Sequence, residues 1–226
     1  MNYSGRVVAV IPVYNEEDTI LDTIEKLKEI DIIDELIVVD DGSTDNTLEV
    51  LDKLDIGIIK LDKNKGKGYA IKKAISEIEF DYLVLVDGDL GKTSVEIGKL
   101  IYPVINNEAD ITIAKFPKAL KKGGFGFVKD LAKNGVYMYT GEKLDTTLSG
   151  QRVYKKDVIN SIHYIPDRYG IEVAMTVGAL RNGFSIKEVE VNMRHRETGR
   201  TFKDFVHRGK QFFDILGTLI VLFFRR

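Results

Sequence analysis

Tyr82-Leu-Val-Leu-Val-Asp-Gly-Asp89 is the stretch of sequence that decides the fold. Its first five residues are apolar on both faces, which predicts a strand buried within a sheet, and an Asp-Gly-Asp turn follows at once. Asp87 and Asp89 can turn toward one hard cation, because a single glycine separates them at the strand end. Asp-Gly alone is a common surface turn. Its position directly after a buried strand favours a metal site.

Strands and helices alternate on both sides of this stretch. Helical periods are predicted at 20–30, from Ser43/Thr44 to Leu54, at 69–78, and from a Thr93/Glu96 capping-box pattern to about Asn106. This alternation predicts an α/β fold whose mainly parallel sheet carries helices on both faces. The predicted strands are Val7–Pro12, Leu36–Val39, Gly57–Leu61, Tyr82–Val86 and Ile111–Lys115.

The second half of the chain is less regular. A Lys- and Gly-rich loop is predicted at 116–126. We expect one α/β domain over residues 1–200 and an amphipathic C-terminal helical appendage over 201–226. The remaining predicted elements are helices at 127–139, 172–182 and 201–224, and strands at 147–154 and 185–192.

Polar segments follow the first four predicted strands. In an open parallel sheet such segments meet at one edge, where ligands bind. Two segments are acidic, one carries an aromatic ring, and one is a Gly/Lys loop suited to phosphate, although it lacks the P-loop pattern. Together they indicate a nucleotide-diphosphate pocket with a metal. The segments are 12–17, 40–45, 64–68 and 87–89.

Composition excludes several other classes of protein. The chain has no cysteine and three histidines, which excludes disulfides, Cys-zinc sites and thiol nucleophiles and disfavours a multi-His metal site. The start of the sequence shows no signal-peptide pattern, so we expect a cytoplasmic protein.

The end of the sequence is basic. Residues 194–226 hold eight Lys/Arg against three Asp/Glu, which favours an anionic partner, and we expect no nucleic acid among the partners. The apolar segment Phe212–Phe224 is too short to span a bilayer. Two interpretations stay open: peripheral contact with the inner face of a membrane, or packing on the body or on a second subunit of a homodimer.

Three ordered motifs make the first half similar to the GT-A glycosyltransferases of family 2. They are Ile11–Glu17, Val39–Thr47 and Val86–Leu90, and the match runs from about residue 6 to 115. The resemblance implies a metal-dependent hexosyltransferase that uses a UDP-sugar donor. It also implies that Pro12, Tyr14 and Glu16 line the nucleoside site, that Asp41 contacts the uracil, and that Asp87 and Asp89 form the metal and diphosphate motif.

The second half resembles glucosyl-3-phosphoglycerate synthase and its relatives. The resemblance rests on Asn64–Gly68, Leu148–Gln151, Tyr169–Glu172 and Arg194–Arg196. It implies that Lys67 touches the nucleotide, that Gly150 lines the sugar site, and that His195 joins Asp87 and Asp89 as the third ligand of Mg²⁺ or Mn²⁺.

The acceptor side departs from that pattern. Phe127 stands at about the position where the synthase holds phosphoglycerate with an arginine. The acceptor therefore stays open between a small molecule and a lipid-linked one. We assign catalytic roles to Asp89, through the metal, and to Glu172, which positions the acceptor or sugar hydroxyls. Glu172 is also explained as a helix N-terminal acid. Because Val173 follows it instead of a second acid, inversion and retention both stay open.

Three functions follow from these features. The first is metal-dependent transfer of a sugar from a nucleotide-sugar donor, with the cation stabilising the leaving diphosphate. The second is transfer to a polyprenol phosphate at the membrane surface, in which the basic, apolar tail finds the lipid. The third is a catalytically inactive nucleotide-binding or scaffold protein, against which the intact Asp87/Asp89 pair argues.

Overall fold

A seven-stranded sheet forms the centre of the computed structural model, which describes residues 5–117, 126–194 and 202–225. The strand order is β3-β2-β1-β4-β6-β5-β7. β6 runs antiparallel to both neighbours, and the other pairs are parallel. The predicted mainly parallel α/β fold is confirmed. The strands are β1 (Val7–Val13), β2 (Glu35–Asp40), β3 (Gly57–Lys60), β4 (Tyr82–Leu85), β5 (Ile111–Lys115), β6 (Arg152–Lys155) and β7 (Ile186–Glu190).

Helices cover both faces of the sheet, and each face has its own apolar core. The helices are α1 (Ile20–Lys28), α2 (Thr47–Leu51), α3 (Lys67–Ile75), α4 (Gly98–Ile105), α5 (Phe127–Thr140), α6 (Lys156–Ser161), α7 (Ile171–Arg181) and α8 (Phe202–Phe224). On one face Ile20, Ile24 and Leu27 of α1 are buried at helical spacing. On the other face, residues of α3, α6 and α7 pack on β1 and β4. Central strands buried on both faces explain their continuous apolar runs.

The C-terminal helix α8 packs on α5 and α7. Ile215, Leu219 and Leu222 of α8 are buried in a third apolar cluster with residues of both helices. The Tyr139 hydroxyl of α5 donates a 2.7 Å hydrogen bond to the carbonyl of Leu219. The predicted C-terminal helix is therefore present as α8. The predicted boundary after residue 200, between the α/β domain and the appendage, stays a prediction. None of the helices in the described ranges has the apolar run that spanning a bilayer needs.

Two predicted helix caps are wrong. Thr93 and Glu96 do not form a capping box, because the Thr93 hydroxyl donates to the carbonyl of Leu90 and Glu96 accepts from the backbone N–H of Asn192. These residues lie in a 3-10 segment, Gly91–Ile97, which precedes α4. Ser43 and Thr44 do not cap α2 either. Its N-cap is Asn46, and Ser43 and Thr44 instead bind the loop that follows β1.

The predicted strand at 147–154 is too long, because β6 starts only at Arg152. Residues 147–151 turn around the Arg152 guanidinium, whose N–H groups donate to the carbonyls of Thr147, Ser149 and Glu172 at 2.7–3.2 Å. The guanidinium also donates to the hydroxyls of Thr176 and Tyr154, at 2.8 and 3.2 Å. The carbonyls of this segment therefore accept from the guanidinium, and β6 begins only after the turn. The predicted strand at 185–192 shortens to β7, and most of the predicted 116–126 loop lies outside the described residues.

Arg152 is buried, and within the described part of the chain it forms no ion pair. Its charge is satisfied by carbonyl and hydroxyl oxygens that belong to β6, α7 and the 147–151 segment. We expect Arg152→Gln to lower the free energy of unfolding by about 3–5 kcal/mol, since several buried acceptors lose their donor at once. Urea unfolding would measure this.

Tyr154→Phe is the matched control, because it removes one neutral partner of the guanidinium and keeps the ring. We expect it to cost about 1 kcal/mol. Equal stability of Arg152→Gln and the wild type would show that the guanidinium does not hold these segments together.

Candidate active site

The loops that follow β1 and β2 are bound to each other at the carboxyl edge of the sheet. The backbone N–H of Asn15 donates to the Ser43 hydroxyl at 2.9 Å, and the Asn15 side-chain oxygen accepts from the N–H of Thr44 at 2.8 Å. Asn15 has φ 58°, a left-handed conformation that asparagine tolerates better than most residues. The turn leaves the neighbouring Tyr14 ring 43% exposed at the strand end. An aromatic face is therefore available beside the acidic loop after β2.

Asp41 anchors the Gly/Lys loop at 64–68. Its two carboxylate oxygens accept hydrogen bonds from the backbone N–H groups of Lys65 and Gly66, at 2.8 and 2.7 Å. Gly66 has φ +104°, and a Cβ there would lie 2.6 Å from the carbonyl of Asp167. Asp41 is buried, so this loop is fixed where α3 begins. The predicted contact of Asp41 with uracil stays a prediction.

Lys67 joins the carboxylates of Asp87 and Glu172. Its ammonium lies 2.6 Å from Asp87 Oδ1 and 3.2 Å from Glu172 Oε1. Burial alone lowers the pKa of Lys67, but the two carboxylates outweigh it, and the net pKa is raised above the usual lysine value. Three residues that are 20 and 105 positions apart in the chain therefore form one charged cluster. Lys67 stays protonated throughout the physiological range.

Gly150 and Gln151 complete the cluster. Gln151 is buried, and its amide nitrogen donates to Asp87 Oδ2 at 2.9 Å. A Cβ at Gly150 would lie 2.7 and 2.9 Å from the Asp87 oxygens, so any other residue there would displace the Asp87 carboxylate from its present position. Gln151 Oε1 and Ser149 Oγ are buried and have no hydrogen-bond partner among the residues that the structure describes. The Gln151 side chain that binds Asp87 through its nitrogen therefore carries an unpaired buried oxygen.

Thr23 of α1 holds the Asp-Gly-Asp turn. Its buried hydroxyl lies 2.8 Å from the carbonyl of Gly88 and accepts from the N–H of Gly91 at 2.8 Å. Sequence reasoning missed this residue, although Thr23 is a polar side chain next to the buried apolar face of α1. It also missed roles for Ser149, Gln151 and Arg152. The four-residue motif at 148–151 was a signal for the first two.

The other predicted residues are distributed around this cluster. Pro12 is in β1, and Glu16 joins the loops, because its N–H donates to the Thr47 hydroxyl and its carboxylate accepts from Thr19. Asp89 ends the turn that Thr23 holds. His195 lies outside the described residues. Among those described, no group of three His, Cys, Asp or Glu residues could hold a metal by itself.

Comparison with known proteins identifies the family. The sequence model of glycosyl transferase family 2 matches residues 8–164, which contain the first four strand-end segments and Gly150. The chain belongs to this family.

Two relatives of the family 2 chain carry names that describe an activity. A UDP-N-acetylglucosamine–dolichyl-phosphate N-acetylglucosaminyltransferase from Methanococcus voltae is 28% identical over 84% of this chain and 86% of its own length. An undecaprenyl-phosphate 4-deoxy-4-formamido-L-arabinose transferase from Proteus mirabilis is 26% identical over 95% of this chain and 68% of its own length.

A solved structure shares the fold of the family 2 chain. Glucosyl-3-phosphoglycerate synthase from Mycobacterium tuberculosis, solved with Mn²⁺, UDP and glucosyl-3-phosphoglycerate, superposes with a TM-score of 0.80. It is 22% identical, and the alignment covers 96% of this chain and 80% of the synthase. The GT-A fold predicted from the sequence is confirmed.

We expect Thr23→Val to lower the free energy of unfolding by about 1–3 kcal/mol, because the carbonyl of Gly88 and the N–H of Gly91 lose their buried partner. Hydrogen exchange of the Gly91 amide should accelerate beyond the global change. Thr112→Val is the matched control, since the buried Thr112 hydroxyl donates to Leu100 at 2.7 Å, away from the turn. Equal Gly91 exchange in both variants would contradict the role of Thr23.

Proposed function

We propose that the chain transfers a sugar from a UDP-sugar to an acceptor with the help of Mg²⁺ or Mn²⁺. The observation that carries the proposal is the cluster of Lys67, Asp87, Glu172 and Gly150 at the carboxyl edge of a family 2 fold. Structures of the synthase with UDP and either Mn²⁺ or Mg²⁺ support the choice of nucleotide and metal.

The residues present fit such a cation. Asp87 and Asp89 supply carboxylate oxygens at one strand end, which suit Mg²⁺ and Mn²⁺. Gln151 binds Asp87 at this strand end, and the Lys67 ammonium balances part of the carboxylate charge. His195 is proposed as the third protein ligand, and an imidazole favours Mn²⁺ over Mg²⁺. When bound, the cation neutralises charge on the departing diphosphate.

The other roles follow from the contacts. Lys67 stands at the first turn of α3, so its ammonium and the helix N–H groups favour a diphosphate there. Pro12, Tyr14 and Glu16 border the nucleoside, and Gly150 leaves room for the sugar. Glu172, held by Lys67, positions the acceptor or the sugar hydroxyls. An anionic donor competes with Asp87 for Lys67, which frees carboxylate oxygens for the metal.

We expect Asp89→Asn to remove nearly all donor turnover, because an amide oxygen replaces an anionic ligand. UDP release from UDP-glucose and UDP-N-acetylglucosamine would be followed in EDTA and after Mn²⁺ is restored. His195→Ala should weaken Mn²⁺ affinity by roughly 10–100-fold. Asp31→Asn, at an exposed carboxylate near the opposite edge of the sheet, is the control. Full turnover in EDTA would contradict the metal mechanism.

Recognition of uracil by Asp41 can be tested separately from the role of Asp41 in anchoring the 64–68 loop. If Asp41 reads the uracil, Asp41→Ala weakens UDP binding by about 1–3 kcal/mol and binding of GDP by less. If the carboxylate only anchors the 64–68 loop, both affinities fall equally. Calorimetry with UDP and GDP measures the ratio. Tighter binding of GDP than of UDP by the wild type would overturn the uracil assignment.

A second candidate function narrows the acceptor to a lipid phosphate. The names of both relatives state such acceptors, dolichyl phosphate and undecaprenyl phosphate. Exposed Phe127 and the exposed apolar residues of α8 are compatible with a lipid, and the basic tail attracts an anionic membrane surface. This candidate includes peripheral contact with the inner face of the membrane. Pairing of α8 in a homodimer is the competing explanation of the same exposed residues.

A further inference from the structure

The solvent-facing side of α8 carries an apolar stripe between residues 213 and 223. Phe213, Leu216, Ile220 and Phe223 recur at three- and four-residue spacing, which places them on one stripe, and they are between 36% and 70% exposed. The opposite side of α8 is already buried against α5 and α7. A helix packed on one side only would carry polar residues on the other. The stripe therefore indicates a surface that binds a ligand.

An apolar groove of about 360 Å³ lies between the stripe and α5. Among the described residues that line it, the only polar side chains are those of Asn134 and Tyr139, and the Tyr139 hydroxyl already donates to the carbonyl of Leu219. The groove is lined by Leu131, Asn134, Gly135, Met138, Tyr139, Leu216, Leu219, Ile220 and Phe223.

A second cavity, of about 440 Å³, lies at the amino-terminal end of the same stripe. It is lined by Arg168, Tyr169, Gly209, Lys210, Phe213 and Asp214. Phe213 thus belongs to both the stripe and this cavity. Among its described lining residues are two cationic side chains and one carboxylate, so the charge of this lining favours an anion.

This second cavity lies beside the active-site cluster. A Cβ at Gly170 would meet Thr218 of α8, and Glu172 follows two residues later. Burial raises the pKa of the Tyr169 hydroxyl, and the carboxylates of Asp214 and Glu172 add to the rise. Tyr169 is therefore within electrostatic range of both the cavity and the catalytic cluster.

We propose that the two cavities and the stripe form one binding site for a polyprenyl phosphate. Arg168 and Lys210 hold the phosphate, and the stripe and groove take the hydrocarbon chain. The proposal rests on the second candidate function and adds the residues that recognise the acceptor. Cavities of roughly 300–1,000 Å³, mostly apolar with a few polar groups, are typical of sites for single small ligands.

Continuity with the active site decides between this ligand and other occupants of the stripe. A bilayer or a second copy of the chain would cover the stripe without needing a cationic cavity beside Glu172. A polyprenyl phosphate fits both cavities. The cationic cavity lies next to the catalytic cluster and suits the phosphate, and the apolar groove lies farther along α8 and suits the hydrocarbon chain.

The test measures binding of fluorescent farnesyl phosphate to the full chain in buffer without membranes. We expect Ile220→Glu to weaken binding about tenfold or more, because a carboxylate in the groove is desolvated when the chain binds. Lys210→Ala should weaken binding of farnesyl phosphate and leave binding of unphosphorylated farnesol unchanged. Leu21→Glu, at an exposed apolar position of α1, is the matched control and should change neither. UDP affinity should be the same in all four proteins.

The site would be overturned if the wild type did not bind farnesyl phosphate, or if Ile220→Glu bound it equally well. The same measurement is repeated with anionic vesicles. If Ile220→Glu weakened binding only when the vesicles were present, the stripe would be a bilayer contact. A dimer that Ile220→Glu dissociates, with farnesyl phosphate binding unchanged, would also overturn the site. Binding that follows the expected pattern, without sugar transfer to the lipid phosphate, would support the site and contradict the second candidate function.

Discussion

The ion pairs of Lys67 with Asp87 and Glu172 hold the active site together. They connect the start of α3 and the end of β4, which are consecutive elements, with the first turn of α7, which lies about a hundred residues farther along the chain. Two carboxylates share one ammonium, and a third group, the Gln151 amide, donates to the remaining Asp87 oxygen. The position of each carboxylate therefore depends on the other two elements. Removing Lys67 would leave two carboxylates without their shared cation in a partly buried place, whereas removing either carboxylate would leave one ion pair.

Arg152 stabilises the two segments that carry Gly150 and Glu172 of this cluster. Its guanidinium binds carbonyls at Thr147, Ser149 and Glu172, so it fixes both the segment that presents Gly150 and the helix turn that presents Glu172. Because these partners are neutral, Arg152 adds a positive charge beneath a pocket proposed to take a diphosphate. The same residue thus serves packing and the electrostatic potential of the site.

Much of the first half could be predicted from the sequence, because strands buried on both faces leave long apolar runs and polar residues then follow at one edge. The meeting of the 40–45, 64–68 and 87–89 segments follows from that rule. The ion pair between Lys67 and Glu172 could not be predicted from the sequence, because the two residues are 105 positions apart and no local pattern encodes their pairing. The predicted caps were wrong because both side chains have other partners: the Thr93 hydroxyl donates to the carbonyl of Leu90, and the Ser43 hydroxyl accepts from the N–H of Asn15.

The antiparallel strand β6 has a consequence for how the chain folds. It lies between β4 and β5 in the sheet, although it follows both in the sequence. The edges of β4 and β5 that β6 covers therefore have no partner until residues 152–155 have been synthesised. Pairing across such sequence separations slows folding, because loop closure precedes the gain from contacts. During synthesis, Asp87 therefore follows a strand, β4, whose edge toward β6 stays unpaired until the second half of the chain has been made.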